Sequence, residues 1–515
     1  MHDIAIIGGG INGCGIARDA AGRGLSVLLA EKDDLASGTS SASTKLIHGG
    51  LRYLEHYSFR LVRESLRERE VLLATAPHII WPLRFVLPHH RGLRPAFLIR
   101  LGLLLYDRLG RRRTLPASRA VDLARVSAGK PLKAGFTQAF VYSDCWVDDA
   151  RLVVLNAMDA AARGADIRVR TEVMSAARKI DHWQIDLQNT FTGLRETVRA
   201  RALINAAGAW VADITTNRLR SHGVPSIRLV RGSHIVVRKL FDHDCAYIFQ
   251  NSDRRVVFAI PYEQDYTLIG TTDVDFTGDL SSVAVSQSEV EYLCAAVNEY
   301  FARSIASSDV VWSYSGVRSL HDDGQQAAQN ATRDFTLELD GHRGEPPLLN
   351  IVGGKITIYR HVAEEVLSKL ASTFPRAGSP WTRSSHLPGG DLPGGRHKQL
   401  AQELEAACPA LGASTAARVA RTYGTMARDI FAGAIRQQDL GIHFGAGLYE
   451  REVAYLIKNE WAMTADDILW RRTKLGLRLI EAERNRLKDW LLVPCTHPEG
   501  LTPKSIGGKQ DLEAL

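Results

Sequence analysis

Cysteine is scarce in this 515-residue chain. The six present, Cys14, Cys145, Cys245, Cys294, Cys408 and Cys495, form no Cys-x-x-Cys and no pairing with histidine at metal-ligand spacing. That argues against a disulfide framework and a structural metal, and it suits a reducing compartment. No apolar run reaches the ~20 residues a bilayer-spanning helix needs, and no basic-then-apolar leader precedes the first strand, which already begins at Ile4. Solenoid repeats are absent, as is the aromatic and basic platform of RNA-binding modules, so nucleic acid is not an expected partner. What is present is an ordinary globular composition, 45% apolar and 23% charged. The length expects roughly two to four domains. A formal net charge of +7 taken by itself points to an anionic partner, a phosphorylated substrate, a membrane surface or nucleic acid.

The chain is organised around residues 3–34, DIAIIGGGINGCGIARDAAGRGLSVLLAEKDD. Ile4 to Ile7 reads as a buried strand. Gly8, Gly10 and Gly13 then make G-x-G-x-x-G, a turn without Cβ atoms in the path of a diphosphate. From Asn12 a helix with Ile16, Ala17 and Ala20 on one face presents its N-terminal amides to that anion. A second apolar strand, Leu25 to Ala30, ends at Glu31, where a carboxylate takes ribose hydroxyls. Strand, glycines, helix, strand and acid in order specify a dinucleotide site for an unphosphorylated ribose, FAD or NAD.

Further along, the Ser/Thr-rich loop 36–59 holds Ser43, Thr44, Lys45, His48, Gly49, Gly50, Arg52 and Tyr53, hydroxyls and cations suited to a cofactor with an anion beside it. Residues 60–74 read as an amphipathic helix. An apolar stretch, Phe97 to Tyr106, is flanked by Arg91, Arg94, Arg100, Arg108, Arg111, Arg112 and Arg113. It is either an element lying in an anionic membrane interface or a buried helix of a substrate domain. Residues 148–163 read as a helix, and RALINAAGAWVAD (201–213) as a strand ending at Ala206, Ala207 and Gly208. Residues 227–276 alternate as an antiparallel sheet, followed by a helix at about 287–306 and Arg318. LLNIVGGKITIYR gives a strand, Gly353 and Gly354, and a helix start that brings Lys355, Ile356 and Thr357 toward the middle of the cofactor. Residues 374–397 read as a Pro/Gly/Ser-rich linker, 398–488 as helical with a capped start at Thr464 to Asp467, and 497–515 as a disordered tail.

IGGGINGCGIARDAAGRG, STKLIHGGLRYL, SDCWVDDARL, INAAGAW, IGTTDVDF, VGGKITIYR and the tail EREVAYLIKNEWAMTADDILWRRTKLGL together resemble the FAD-dependent (aerobic) glycerol-3-phosphate dehydrogenases, over at least residues 3–480. One departure is Ile358, where the family usually has a small or polar residue. The resemblance implies an α/β fold: a glutathione-reductase-type, Rossmann-like FAD domain, a mixed-sheet substrate cap as in D-amino-acid oxidases, and a C-terminal helical domain. The expected boundaries are 1–76, 140–220 and 345–373 for the FAD domain, 77–139 and 221–344 for the cap, and 398–496 for the helical domain. The implied reaction oxidises C2 of sn-glycerol 3-phosphate to dihydroxyacetone phosphate, with hydride passing to flavin N5 and electrons to ubiquinone or menaquinone. It also implies a peripheral protein on the cytoplasmic face of the inner membrane, as a homodimer in many members.

Beside that stands the residue chemistry. A dianionic phosphate needs converging cations, and Arg52, Arg318 and Lys355 come from three cofactor-side segments, with the Tyr53 hydroxyl beside them. Proton removal from the C2 hydroxyl calls for a base, His234 in RGSHIVV or His48 in IHGG. Arg318 could instead hold the developing alkoxide. FAD contacts are expected at Gly8, Gly10, Asn12, Gly13, Glu31, Ser43, Thr44, Lys45, Ala207, Gly208, Gly354, Lys355, Ile356 and Thr357, and no metal is expected. The rival readings are an oxidase of the same fold using oxygen, and a non-catalytic flavin-binding adaptor.

Overall fold

The first strand, His2–Ile7, lies inside an eight-stranded sheet, parallel to Val27–Ala30 on one side and Arg195–Asn205 on the other. Its side chains alternate, as a strand's must. Ile4 and Ile6 face the helices Ile11–Gly22, Asp149–Ala162 and Tyr359–Lys369, while Ala5 and Ile7 face the antiparallel strands Thr171–Arg178 and Trp183–Asn189. Small residues let the first helix press close to the strand and to the helix Tyr359–Lys369. A Cβ on Gly13 would lie 2.0 Å from the Gly8 carbonyl oxygen, and one on Gly15 would lie 2.6 Å from the Tyr359 ring. The computed structural model describes residues 1–492 except 91, 111–113, 222, 252, 254, 323–333, 343 and 393–395. The expected tail, together with Arg91 and Arg111 to Arg113, falls outside the described residues.

A ten-stranded mixed sheet forms the cap, its longest pairing joining Ile227–Arg238 to Val310–His321. In it Gln138–Val147 pairs with Ile80–His89 and with Leu46–Ile47, and the helix Asp149–Ala162 follows. Phe335–Asp340 pairs with Leu348–Gly353 and so belongs to the first sheet, not the cap. The helix expected at 287–306 stops at Asn298, whose side-chain amide turns the chain by bonding both the carbonyl and the N–H of Ile305 (2.8 Å each).

The C-terminal helices enclose a separate apolar core. Thr464 to Asp467 is a capped start as expected, the Asp467 carboxylate accepting from Met463 and Thr464 N–H at 2.9 Å. A short strand pair, His443–Gly445 with Leu448–Tyr449, is an addition to the helical expectation. Residues 374–392 run along the first domain as a strap. The Trp381 ring lies beneath the Arg163 guanidinium (3.9 Å), its indole N–H donates to Asp19 O (3.2 Å), and Leu387 is buried.

Candidate active site

One large cavity, about 830 Å³, runs from Glu31 at the end of the second strand to Lys355 and is lined in part by the cap. Its volume falls within the range of roughly 300–1,000 Å³ for small-molecule sites. At the Glu31 end both carboxylate oxygens are held by backbone, Gly9 N–H to Oε2 (2.7 Å) and Asp33 N–H to Oε1 (2.8 Å). Burial raises the Glu31 carboxyl above the usual range while those amides oppose it. The fixed oxygens keep lone pairs for ribose hydroxyls. Gly8 sits at φ +106°, and a Cβ there would lie 2.7 Å from Ala206 O. The next helix has no side-chain cap from Gly10. Ile11 N–H is taken by Ser40 Oγ (3.0 Å), a contact that spacing alone did not reveal.

Ala207 and Gly208 line the cavity directly beside Gly8, and Gly354, Lys355 and Ile356 line it as well. Asn12 bridges the two ends, its amide donating to Gly353 O (3.4 Å) while its Oδ1 is buried without a partner. Ser43 and Thr44 are on the wall; Gly13 lies behind it, where it seats the helix. Lys45 turns the other way. Its ammonium is buried on Asp149 Oδ1 (2.8 Å) and Ser41 O (3.0 Å), 5.1 Å from the Tyr314 ring centroid, and burial lowers its pKa. Asp149 also takes the Ser43 hydroxyl (2.7 Å). Lys45 therefore fixes the loop that carries Ser43 and Thr44, and it is not on the cavity wall. Thr357, equally buried, ties His48 N–H at 3.2 Å.

Arg52, Tyr53, His48, Lys355 and Arg318 all reach the same cavity. The Lys355 ammonium lies 3.6 Å from the Tyr53 ring centroid. Arg318 is oriented by Asp273 (2.7 Å) and Thr271 (3.3 Å). The two histidines part company. His48 faces the cavity, its pKa pushed down to about 3 by burial and by Lys355 and Arg69. His234 lies behind the wall, fully buried, stacked on Tyr314 (4.8 Å), with Nε2 on the Thr44 hydroxyl (3.0 Å). Burial and Arg318 hold it well below the usual histidine range. Ile358 is buried among the core residues beside Tyr359, so the departure from the family pattern is accommodated as packing. Behind the His48–Gly50 turn lies a buried group that spacing did not predict, Arg69, Tyr106 and Asp144. Asp144 stood in the quoted SDCWVDD run, but only the fold shows what it touches.

The FAD-dependent oxidoreductase family pattern matches residues 3–360, and that of the C-terminal domain of alpha-glycerophosphate oxidase matches residues 381–489. The chain is 52% identical to a glycerol-3-phosphate dehydrogenase of Pseudomonas aeruginosa and 51% identical to a D-erythritol 1-phosphate dehydrogenase of Brucella abortus, each over 95% of this chain. These alignments cover 95% and 97% of the two relatives. The fold superposes on the glycerol-3-phosphate dehydrogenase of Bacillus halodurans complexed with FAD with a TM-score of 0.73 at 25% identity, covering 95% of this chain and 94% of that one. The chain is thus a flavoprotein oxidoreductase that takes FAD, and it belongs to the glycerol-3-phosphate dehydrogenase family.

Proposed function

We propose that this protein oxidises sn-glycerol 3-phosphate at C2 to dihydroxyacetone phosphate and passes the electrons to a membrane quinone. The observation that carries the reading is one cavity that joins a backbone-built dinucleotide cradle to three cations, Arg52, Arg318 and Lys355, with His48 beside them. The cradle fits FAD by the Cβ-free turn at Gly8, the amide-held Glu31 carboxylate and the orphaned Asn12 Oδ1. Bound there, FAD supplies a hydride acceptor at flavin N5.

The chain's own residues do the rest. Arg52 and Lys355 hold the phosphate dianion, and Tyr53 packs beneath the lysine. Arg318, kept in place by Asp273 and Thr271, stabilises the negative charge that grows on the C2 oxygen. His48 is the base, because it is neutral and on the wall, whereas His234 is shielded by Thr44. Burial is the main cause of the depressed His48 pKa, and a phosphate beside Lys355 offsets one of the two cations that add to it. Ser43, Thr44, Ala207, Gly208 and Ile356 line the cofactor, and Lys45 and Thr357 support it from behind.

The likeness to a D-erythritol 1-phosphate dehydrogenase favours a second substrate, a four-carbon polyol phosphate that presents the same phosphate and adjacent secondary alcohol. Anaerobic titration separates the two. Flavin absorbance bleaches at lower concentration with sn-glycerol 3-phosphate than with D-erythritol 1-phosphate, and the reverse order assigns the longer substrate. Arg318→Ala retains FAD but loses ~2–4 kcal/mol of transition-state stabilisation, read as kcat/KM; unchanged kcat/KM removes it from the site. Hydrogen peroxide formed in proportion to turnover would make oxygen the acceptor and remove the quinone.

The quinone reading has support at the surface. Helix Ala96–Leu109 turns Phe97 and Leu101 outward, 69% and 60% exposed, with Leu98, Leu104 and Leu105 beside them and Arg94, Arg100 and Arg108 at the flanks. No described helix is long and apolar enough to cross a membrane. An exposed apolar face ringed by arginine suits docking in an anionic interface, which supports the reading of a peripheral membrane protein.

A further inference from the structure

Three side chains that never touch the cavity hold the turn that carries its base. The Gly49 N–H donates to the Tyr106 hydroxyl oxygen at 2.8 Å and lies 3.4 Å from Asp144 Oδ1. The Tyr106 O–H in turn donates to the Asp144 carboxylate, whose oxygens lie 2.9 and 2.8 Å away. Arg69 Nη1 donates to Asp144 Oδ1 (2.6 Å) and to Ser143 O (2.9 Å). Tyr106 and Asp144 are each 2% exposed and Arg69 is 3% exposed. There is no slack at the turn, since a Cβ on Gly49 would meet Leu66 at 2.5 Å and the Tyr106 oxygen at 2.7 Å. On its other side the His48 N–H is held by Thr357. The next residue, Gly50, is in the left-handed region at φ +79° and leads into Arg52 and Tyr53.

Keeping a carboxylate at this depth costs several kcal/mol unless its partners are well placed. A fully satisfied buried network rigidifies what it touches. The cavity wall needs that rigidity, because a site that drifts beyond ~0.5 Å loses its geometry. We propose that Tyr106 and Asp144 are positioning residues that set the His48–Gly50 turn for substrate oxidation. The inference rests on reading this cavity as the site of polyol phosphate oxidation.

The test compares Tyr106→Phe with Leu103→Ala in the FAD-loaded protein. Leu103 is equally buried on the same helix, and it contributes packing without a hydrogen bond. Two readouts are used, deuterium exchange of the peptide spanning 46–51 and stopped-flow reduction of the flavin by sn-glycerol 3-phosphate. In Tyr106→Phe the Gly49 amide exchanges at least about tenfold faster and the limiting reduction rate falls by about tenfold or more, with reduction amplitude and FAD content unchanged. In Leu103→Ala the amplitude or melting temperature falls, while the exchange and the rate constant stay near wild type. If Tyr106→Phe does not fold, Asp144→Asn carries the same expectation. Unchanged Gly49 exchange and rate in the Phe variant overturn the proposal, and so does equal slowing in both variants. If sn-glycerol 3-phosphate fails to reduce the wild-type flavin, the functional reading falls, and the exchange measurement still decides whether Tyr106 holds the turn.

Discussion

Single atoms decide the cofactor end. A methyl group at position 13 would overlap the Gly8 carbonyl oxygen, and neither the strand nor the helix can retreat, because both are buried. Gly13→Ala is expected to cost at least ~1–3 kcal/mol and to yield protein with far less bound flavin, measured as the 450 nm to 280 nm absorbance ratio. Charges at single positions also set the pH response. His48 and His78 are both held down to about 3 and His234 is shifted the same way, chiefly by burial. Unfolded, each would protonate near 6.5, so the stability they contribute is complete above that pH and is lost as pH falls from 6.5 toward 3. The urea midpoint of the apoprotein is therefore expected to drop between pH 7 and pH 4.5, and His78→Leu flattens that slope. Glu263 behaves oppositely. Burial and Asp148 raise its carboxyl to about 7, above the ordinary 4.5, so stability is lost as pH rises from 4.5 through 7. Glu263→Gln should stabilise the protein at pH 8 by on the order of 1 kcal/mol and leave it unchanged at pH 4, read by denaturant midpoints at both pH values.

Among the elements, helix Ala96–Leu109 is the one whose two faces answer to different surroundings. Leu103 and Tyr106 point inward, whereas Phe97, Leu101, Leu104 and Leu105 face out. An exposed acidic residue costs the fold little but opposes an anionic bilayer, where each nearby basic residue contributes ~1 kcal/mol. Phe97→Glu with Leu101→Glu is expected to abolish co-flotation with phosphatidylglycerol vesicles while melting temperature and flavin content hold. Variants that still float would remove this helix as the docking element. In the sequence its apolar core and arginine flanks were legible, but which face is outward was not, because 3.6-residue periodicity identifies a stripe without saying what covers it. The same limit explains residues 374–392. Proline, glycine and serine mark chain without regular structure, but only the fold shows Trp381 and Leu387 seated on the first domain.

Over the whole molecule, the C-terminal domain is joined to the flavin domain by buried ion pairs. Arg151 meets Glu460 with both side chains fully buried, Arg471 and Arg472 share Asp34, and Arg170 meets Asp467. Removing one partner leaves a buried charge uncompensated. Glu460→Ala is expected to cost ~3–5 kcal/mol, read from urea unfolding of the holoprotein, with the flavin and tryptophan signals still lost together. A cost below 1 kcal/mol would mean that the pair does not join the domains.

Residues 3–34 determined the strand, turn, helix and acid of the dinucleotide site from the sequence alone. That pattern is local, set by backbone sterics and side-chain period, and the structure reproduces it. The later segments INAAGAW and VGGK announced further contacts by composition, and both line the cavity. Tertiary structure alone decided which candidate groups meet. It put His48 on the wall and His234 behind Thr44, turned Lys45 onto Asp149, and brought Tyr106 and Asp144 behind Gly49. Those pairings join residues tens to hundreds of positions apart. Their partners are chosen by burial, where an unpaired charge or amide is costly, and no spacing along the chain encodes that choice.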